Sequence, residues 1–299
     1  MTSSQKKLIG TLCGIGAAVC YGTNPLGALN LYAEGMSTGS VLFYRFGLAW
    51  VIIAVVMMFR REGLRLSCRE FGVVTALGLL FSASSLTLYL SFHHIAAGVA
   101  STLLFTYPVM TAVIMALFFK ERIGFRTVSS IVLSLAGVVL LYWGGGDGPL
   151  SALGVVLVLL SALTYAVYIV VVGRSELRMS SFKINFYVLI YCTLGALAYS
   201  LLSGQPVMLP PNARAWFYVG WLAIVPAIMA LVMMVYSAKF IGSTPTAILG
   251  ALEPLTAVLI GVFVFSEPFT LNLAVGIVLI LAAVVIIVFR KTERRQVGK

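Results

Sequence analysis

The sequence predicts an all-α integral membrane protein with ten transmembrane helices arranged as two inverted five-helix repeats. Composition is the first reason. Of 299 residues, 61% are hydrophobic and 10% charged, and the mean hydropathy of +1.07 is foreign to soluble globular domains. The second reason is an internal copy. A shift of 146 residues lays ASTLLFTYPVMTAVIMALFFKE, from Ala100, over TAILGALEPLTAVLIGVFVFSE, from Thr246, without a gap. Pro108 falls on Pro254 and Glu121 on Glu267, and the same shift sets SLAGVVLL at Ser134 against ILAAVVII at Ile280. A match held through two apolar segments and their connecting loop marks two related halves.

Charge placement is the third reason. Ten apolar segments, residues 8–32, 38–59, 71–91, 96–119, 127–143, 152–173, 183–203, 214–236, 243–265 and 270–289, each approach the ~20 residues a helix needs to cross a bilayer. They are numbered here as spans 1 to 10. With the N-terminus inside, 18 of the 20 lysines and arginines fall in cytoplasmic segments, leaving Arg214 outside and Arg45 within a span. Both termini are therefore expected in the cytoplasm. Five spans per half is an odd number, so the second copy sits upside down relative to the first. The loops agree, since Lys120, Arg122 and Arg126 in the first half face Ser266, Pro268 and Asn272 in the second.

The halves are residues 1–143 and 152–289, joined by a Gly-rich periplasmic linker at 144–151 and followed by a basic cytoplasmic tail at 290–299. The linker lacks the lysine and hydroxyl of a phosphate loop. The net charge of +11 is topological and spread over short loops, which excludes a nucleic-acid partner. Cys13, Cys20, Cys68 and Cys192 have no metal-type spacing and read as free thiols. Lys6 and Lys7 precede an apolar run that is read as a span and not a signal peptide, because Gly10, Ala18 and Tyr21 are echoed by Gly154, Ala162 and Tyr165.

Along the chain, span 1 carries Tyr21, Thr23, Asn24 and Pro25, polar groups and a helix breaker at membrane depth. They fit either a kinked packing helix or a cavity wall. Gly10, Gly14 and Gly16 suit close helix packing. Span 2 holds Arg45, roughly 10 Å of helix below its outer edge. It reads as a structural anchor or as a holder of a substrate carboxylate. Span 3 has a polar patch, Ser82, Ser84, Ser85, Thr87 and Tyr89, and ends at His93 and His94, which point in different directions on a helix and read as interfacial. Span 4 offers Tyr107 and Pro108. Span 6 places Tyr165 and Tyr168 where span 1 places Tyr21 and Asn24, at equivalent depths from opposite sides.

In span 8, Trp216 and Trp221 suit the outer interface, and Pro226 suits a kink. Span 9 holds Glu253, next to Pro254 and near mid-bilayer, the only carboxylate expected inside a span. It reads as a proton-binding or gating group, with Arg45 as a potential partner, or as a static contact at a helix-breaking site. The cavity candidates are thus Tyr21, Asn24, Ser85, Tyr107, Tyr165 and Tyr168, the charge candidates Arg45 and Glu253, and the hinge candidates Pro25, Pro108, Pro226 and Pro254.

Arg45 with Phe46, Pro108 in the middle of span 4, small-residue openings to spans 4 and 9, and EPL from Glu253 to Leu255 followed by Glu267 resemble the EamA family of the drug/metabolite transporter superfamily over nearly the whole chain. The resemblance implies a carrier of the bacterial inner membrane, usually an exporter of amino acids or related metabolites. It also implies a central cavity formed mainly by spans 1, 3, 4, 6, 8 and 9, with spans 5 and 10 holding the halves together. The small four-span relatives carry an essential glutamate in span 1. Here Glu34 lies beyond that span, so their proton exchange does not transfer directly.

The leading expectation is a secondary transporter that moves a small, partly apolar zwitterion outward by alternating access, with mid-span prolines as bending points. A channel or a lipid-handling protein is the alternative. An intramembrane enzyme lacks the parts, as one aspartate, two adjacent histidines and one intramembrane carboxylate do not make a catalytic cluster. The expected partners are a small-molecule solute, the lipid bilayer and protons as a candidate coupling ion, with the chain acting as a monomer or a homodimer. No cofactor or metal is called for.

Overall fold

The computed structural model describes residues 3–120, 124–143, 150–175, 179–241, 249–250 and 252–297. Regular structure there is helical throughout. Seven segments are long and apolar enough to cross a membrane: Gln5–Ala33, Thr38–Phe59, Cys68–Ser91, Ala97–Phe119, Ala152–Val172, Phe182–Leu202 and Ala213–Met234. Three shorter apolar helices, Ile131–Leu140, Leu252–Phe265 and Leu271–Ala283, fall on the expected spans 5, 9 and 10. Residues 242–248 and 251, which include the start of span 9, the loop at 121–123 with Glu121 and Arg122, and the linker at 144–149 lie outside the described residues.

Helix starts follow from side-chain caps. Span 2 is α3, Thr38–Phe59, whose Ser37 side chain accepts from the Ser40 amide. Span 3 is α4, Cys68–Ser91, and begins three residues earlier than expected because Ser67 and Glu70 form a capping box that satisfies two backbone donors. Ser151 caps α8, Ala152–Arg174; Ser180 caps α9, Ser181–Leu202; and Asn212 caps α10, Ala213–Ile224. Span 5 is α7, Phe125–Trp143. Span 10 is α13, Leu271–Val297, so the basic tail continues the helix up to Val297.

Spans 1, 4 and 8 are not single helices, and proline is the reason. Span 1 is α1, Ser3–Gly22, and α2, Asn24–Ala33, with Pro25 in the first turn of α2. Pro25 cannot donate to the Tyr21 carbonyl four residues back. Asn24 Nδ2 donates to that carbonyl instead, at 2.8 Å, while Thr23 Oγ1 donates to the Cys20 carbonyl at 2.7 Å. Span 4 is α5, Ala97–Leu104, and α6, Tyr107–Phe119, with Pro108 in the first turn of α6. Span 8 runs through a π-helical turn, Val225–Met229, that holds Pro226 between α10 and α11, Ala230–Ile241. In span 9 the described residues are Leu249, which is helical, Gly250 in a turn, and α12, Leu252–Phe265, with Pro254 buried in its first turn.

The helices pair in a regular way. α1 packs on α11 and α4 on α8; α1 also packs on α12 and α6 on α8; α3 meets α9, α5 meets α12, and α7 meets α13. Small residues permit the closest approaches. A Cβ on Gly78 would lie 2.5 Å from the Tyr191 side chain, and one on Gly14 would lie 2.7 Å from Ser237 Oγ. Large apolar side chains such as Phe59, Phe118 and Leu202 point outward, as they do toward lipid.

The two ends of the bundle are stitched by different chemistry. At one end Thr38 Oγ1 meets His93 Nε2 at 2.9 Å, His93 stacks on Tyr32 with centroids 4.3 Å apart, and Met208 N donates to Ser40 Oγ at 3.0 Å. Arg214 there bonds Asn30 Oδ1 at 3.0 Å and faces Glu34 at 3.7 Å. At the other end Lys183 Nζ donates to the Arg65 carbonyl, Ser180 Oγ donates to Glu62, and the Tyr187 hydroxyl donates to the Leu64 carbonyl.

Candidate solute cavity

A cavity of ≈ 170 Å³ lies where the broken helices meet. Tyr21, Asn24, Arg45, Ser85, Tyr107, Tyr165 and Glu253 all line it, although they come from six different spans. Proline accounts for three of these positions. Asn24, Tyr107 and Glu253 each immediately precede a proline in the first turn of a helical segment. Pro226 marks the π turn and is buried, but neither it nor its neighbours line the cavity. Tyr168 stands one layer back, stacked on Tyr165 at 5.8 Å and 9°.

The two charge candidates do not meet. Arg45, 7% exposed, donates from Nη1 to the Tyr89 hydroxyl, and no ion pair joins it to Glu253. Its guanidinium lies 5.1 Å from the Phe46 ring centre and 5.3 Å from that of Tyr89. The Nε atom has no hydrogen-bond partner, so the group is anchored at one point and incompletely satisfied. Tyr89 in turn donates to Asn24 Oδ1 at 3.4 Å. Arg45, Tyr89 and Asn24 therefore form one polar chain along the cavity wall. The Glu253 carboxylate makes no hydrogen bond or ion pair among the described residues.

Several wall residues were not among the cavity candidates. Tyr89 stood only within a polar patch, although a tyrosine in a span must find a partner for its hydroxyl, a usable signal. Ser84 ties α4 to α8: its hydroxyl donates to the Ser161 carbonyl at 3.0 Å, and Ser161 Oγ returns a bond to the Ser84 carbonyl at 2.7 Å. Phe81, Leu88, Leu104 and Met234 also line the cavity. Nothing local distinguishes an apolar wall residue from an apolar lipid-facing one in an apolar span. Trp221, read as suited to the outer interface, donates to Thr23 Oγ1 at 3.3 Å beside the break in span 1.

Glu267 behaves differently from Glu253. Its two oxygens accept from the backbone amides of Ala97 at 2.7 Å and Gly98 at 3.1 Å, capping the start of α5. A carboxylate suits the unpaired donors and positive end of a helix N-terminus. A second, larger depression of ≈ 590 Å³ opens at the His93 end, lined by Thr38, His93, His94, Tyr199 and Gln205 among others. Among the described residues no group of three or more His, Cys, Asp or Glu gathers as metal ligands would.

Two stretches of the chain, residues 8–143 and 152–289, each match the EamA-like transporter family. The chain belongs to this family. As an EamA-like protein with many apolar helices, it is a multi-pass membrane transporter. The uncharacterized transporter YdfC of Bacillus subtilis is 25% identical over 250 residues, covering 82% of this chain and 80% of its own. An uncharacterized transporter of Archaeoglobus fulgidus is 25% identical over 278 residues, 88% of this chain and 93% of its own. The uncharacterized inner membrane transporter YicL of Salmonella typhimurium is 26% identical over 244 residues, 77% and 75% of the two chains. A solved crystal structure superposes with a TM-score of 0.66 at 21% identity, covering 93% of this chain and 95% of its own, a likeness of fold alone.

Proposed function

We propose that this EamA-like protein is a secondary transporter of the bacterial inner membrane that exports amino acids or related small metabolites by alternating access. The observation that carries the reading is the cavity of ≈ 170 Å³ whose wall draws on both family-matching stretches, Tyr21, Arg45 and Tyr107 from one and Tyr165 and Glu253 from the other. A site shared by two similar halves opens to either side when one half rocks against the other.

The two-repeat arrangement of residues 1–143 and 152–289 is supported by the packing, and five spans in each half would make it an inverted one. Exchanging each span for the one five further along turns the α1–α11 contact into α8–α4 and the α1–α12 contact into α8–α6, which are the contacts present. The halves are joined through 144–151, and the basic tail follows at 290–299. Both termini lie in the cytoplasm by the distribution of Lys and Arg, which puts the Lys183 end inside and the His93 end outside. Glu253 is the group for proton coupling, and Tyr21, Asn24, Ser85, Tyr107, Tyr165 and Tyr168 shape the solute site. Pro25, Pro108, Pro226 and Pro254 serve as the bending points.

Mass spectrometry of the medium from cells producing the wild type, Glu253→Gln or an empty vector, at matched protein levels, tests the reading without a guess about cargo. One metabolite accumulating outside only with the wild type supports export. An unchanged medium, together with no solute exchange in liposomes loaded with an amino-acid mixture, rejects it. Single cysteines at positions 124 and 270 should label from opposite sides of the membrane, and same-side labelling would overturn the inverted arrangement.

A further inference from the structure

Five side chains in the cavity wall are aromatic, Tyr21, Phe81, Tyr89, Tyr107 and Tyr165, and of these Tyr89 is engaged by Arg45. Their rings do not form one flat stack. Tyr107 meets Tyr165 at 77° with centroids 4.8 Å apart, and Phe81 meets Tyr165 at 60° and 6.1 Å. Steep mutual angles present ring faces and edges from several directions around a small volume. Glu253 lines the same volume, and its carboxylate is uncompensated among the described residues. Arg45, the one lysine or arginine among the described wall residues, is held by Tyr89 and forms no ion pair with Glu253.

A ring face carries the negative part of the aromatic quadrupole and attracts a cation laid over it. A carboxylate alone would bind any cation, and rings alone would bind any apolar group of the right size. Together in one small volume they select a positive charge carried on carbon-covered surface. That attraction needs no N–H donor, so an alkylated ammonium is held as well as a free one. The volume suits a compact solute, since a cavity of about 150 Å³ holds a molecule the size of benzene.

We propose that the solute is recognised through an ammonium group, held at Glu253 among the rings of Tyr21, Phe81, Tyr107 and Tyr165, and that N-methylated and quaternary ammonium compounds are accepted. The inference rests on the carrier reading above for its biological meaning, but its test is binding and not transport. The carboxylate of a zwitterion is then a secondary feature, met by Arg45, and a solute without it still binds.

Equilibrium dialysis of radiolabelled choline against the purified full chain in detergent is the test, with glycine betaine, ethanolamine and isovalerate as competitors. Isovalerate matches choline in heavy-atom count but has no ammonium. Choline should bind, betaine and ethanolamine should compete, and isovalerate should compete at least about tenfold more weakly. Glu253→Gln and Tyr165→Leu should each weaken choline binding by at least about tenfold, whereas Tyr165→Phe, which keeps the ring, should cost less than about threefold.

Absence of choline binding to monodisperse wild type, equal competition by isovalerate, or wild-type affinity in folded Glu253→Gln would each overturn the proposal. Should Glu253→Gln not fold, Tyr107→Leu decides, and unchanged choline affinity there has the same force. Choline binding in this pattern with no exchange in liposomes would remove the carrier reading and leave the cation site standing. Liposome exchange of an anionic solute, with isovalerate bound as well as choline, would do the reverse.

Discussion

Glu253 and Glu267 stand at opposite ends of the same helix, α12, yet the chain treats them in opposite ways. Glu267, just beyond the end of α12, gives both oxygens to the amides of Ala97 and Gly98 and so fixes the start of α5. Glu253, in the first turn of α12, gives its oxygens to nothing among the described residues and faces the cavity. A satisfied carboxylate joins two elements and is part of the fold. An unsatisfied one retains charge and acceptor capacity for something that comes and goes, at a cost in stability. The same contrast runs through the cations, since Arg214 pairs with Glu34 and Asn30 whereas Arg45 keeps an unpartnered Nε beside the cavity.

The sharpest way to break this comparison is to neutralise both carboxylates. Glu253→Gln should lower solute export or binding by at least about tenfold while leaving thermal stability in detergent unchanged or raised, because an uncompensated charge is removed from the cavity wall. Glu267→Gln should do the opposite, lowering stability by about 1–3 kcal/mol through loss of charge-assisted bonds to two backbone donors. Thermal unfolding of the two variants side by side, with export measured in the same cells, checks both. Equal destabilisation by the two would erase the distinction.

Smaller effects sharpen it. Tyr89→Phe removes the hydroxyl that accepts from Arg45 and donates to Asn24, and should cost about 1 kcal/mol and weaken binding of a zwitterion more than that of choline. Isothermal titration of betaine and choline separates those outcomes. Trp221→Phe deletes the bond to Thr23 and trims the ring that packs on Phe217, and should cost about 1 kcal/mol with binding unchanged, as read from melting curves and the same titrations.

Much of the site was legible along the chain because polar groups and prolines stand out against an apolar background. Tyr21, Asn24, Arg45, Ser85, Tyr107, Tyr165 and Glu253 were candidates for that reason, and all of them line the cavity. Glu267 stood out as a repeat marker and as part of the family motifs but not as a cap, since nothing local says that its partners are amides 170 and 169 residues away. Phe81, Leu88 and Met234 were hidden for the same reason, being apolar residues among apolar residues.

Span positions, helix caps and proline breaks are local matters of transfer free energy, backbone donors and ring geometry, and the order of amino acids carries them directly. The family was legible for the same reason, as its short motifs and internal copy are written in order. Which of two glutamates is compensated, that Arg45 is held by Tyr89 and not by Glu253, and which apolar faces turn toward the cavity are matters of another kind. They depend on which helices touch, and in a bilayer that follows from close packing at positions such as Gly14 and Gly78 and from bonds such as those between Ser84 and Ser161. Those contacts join residues scores of positions apart, so only the folded bundle brings them into view.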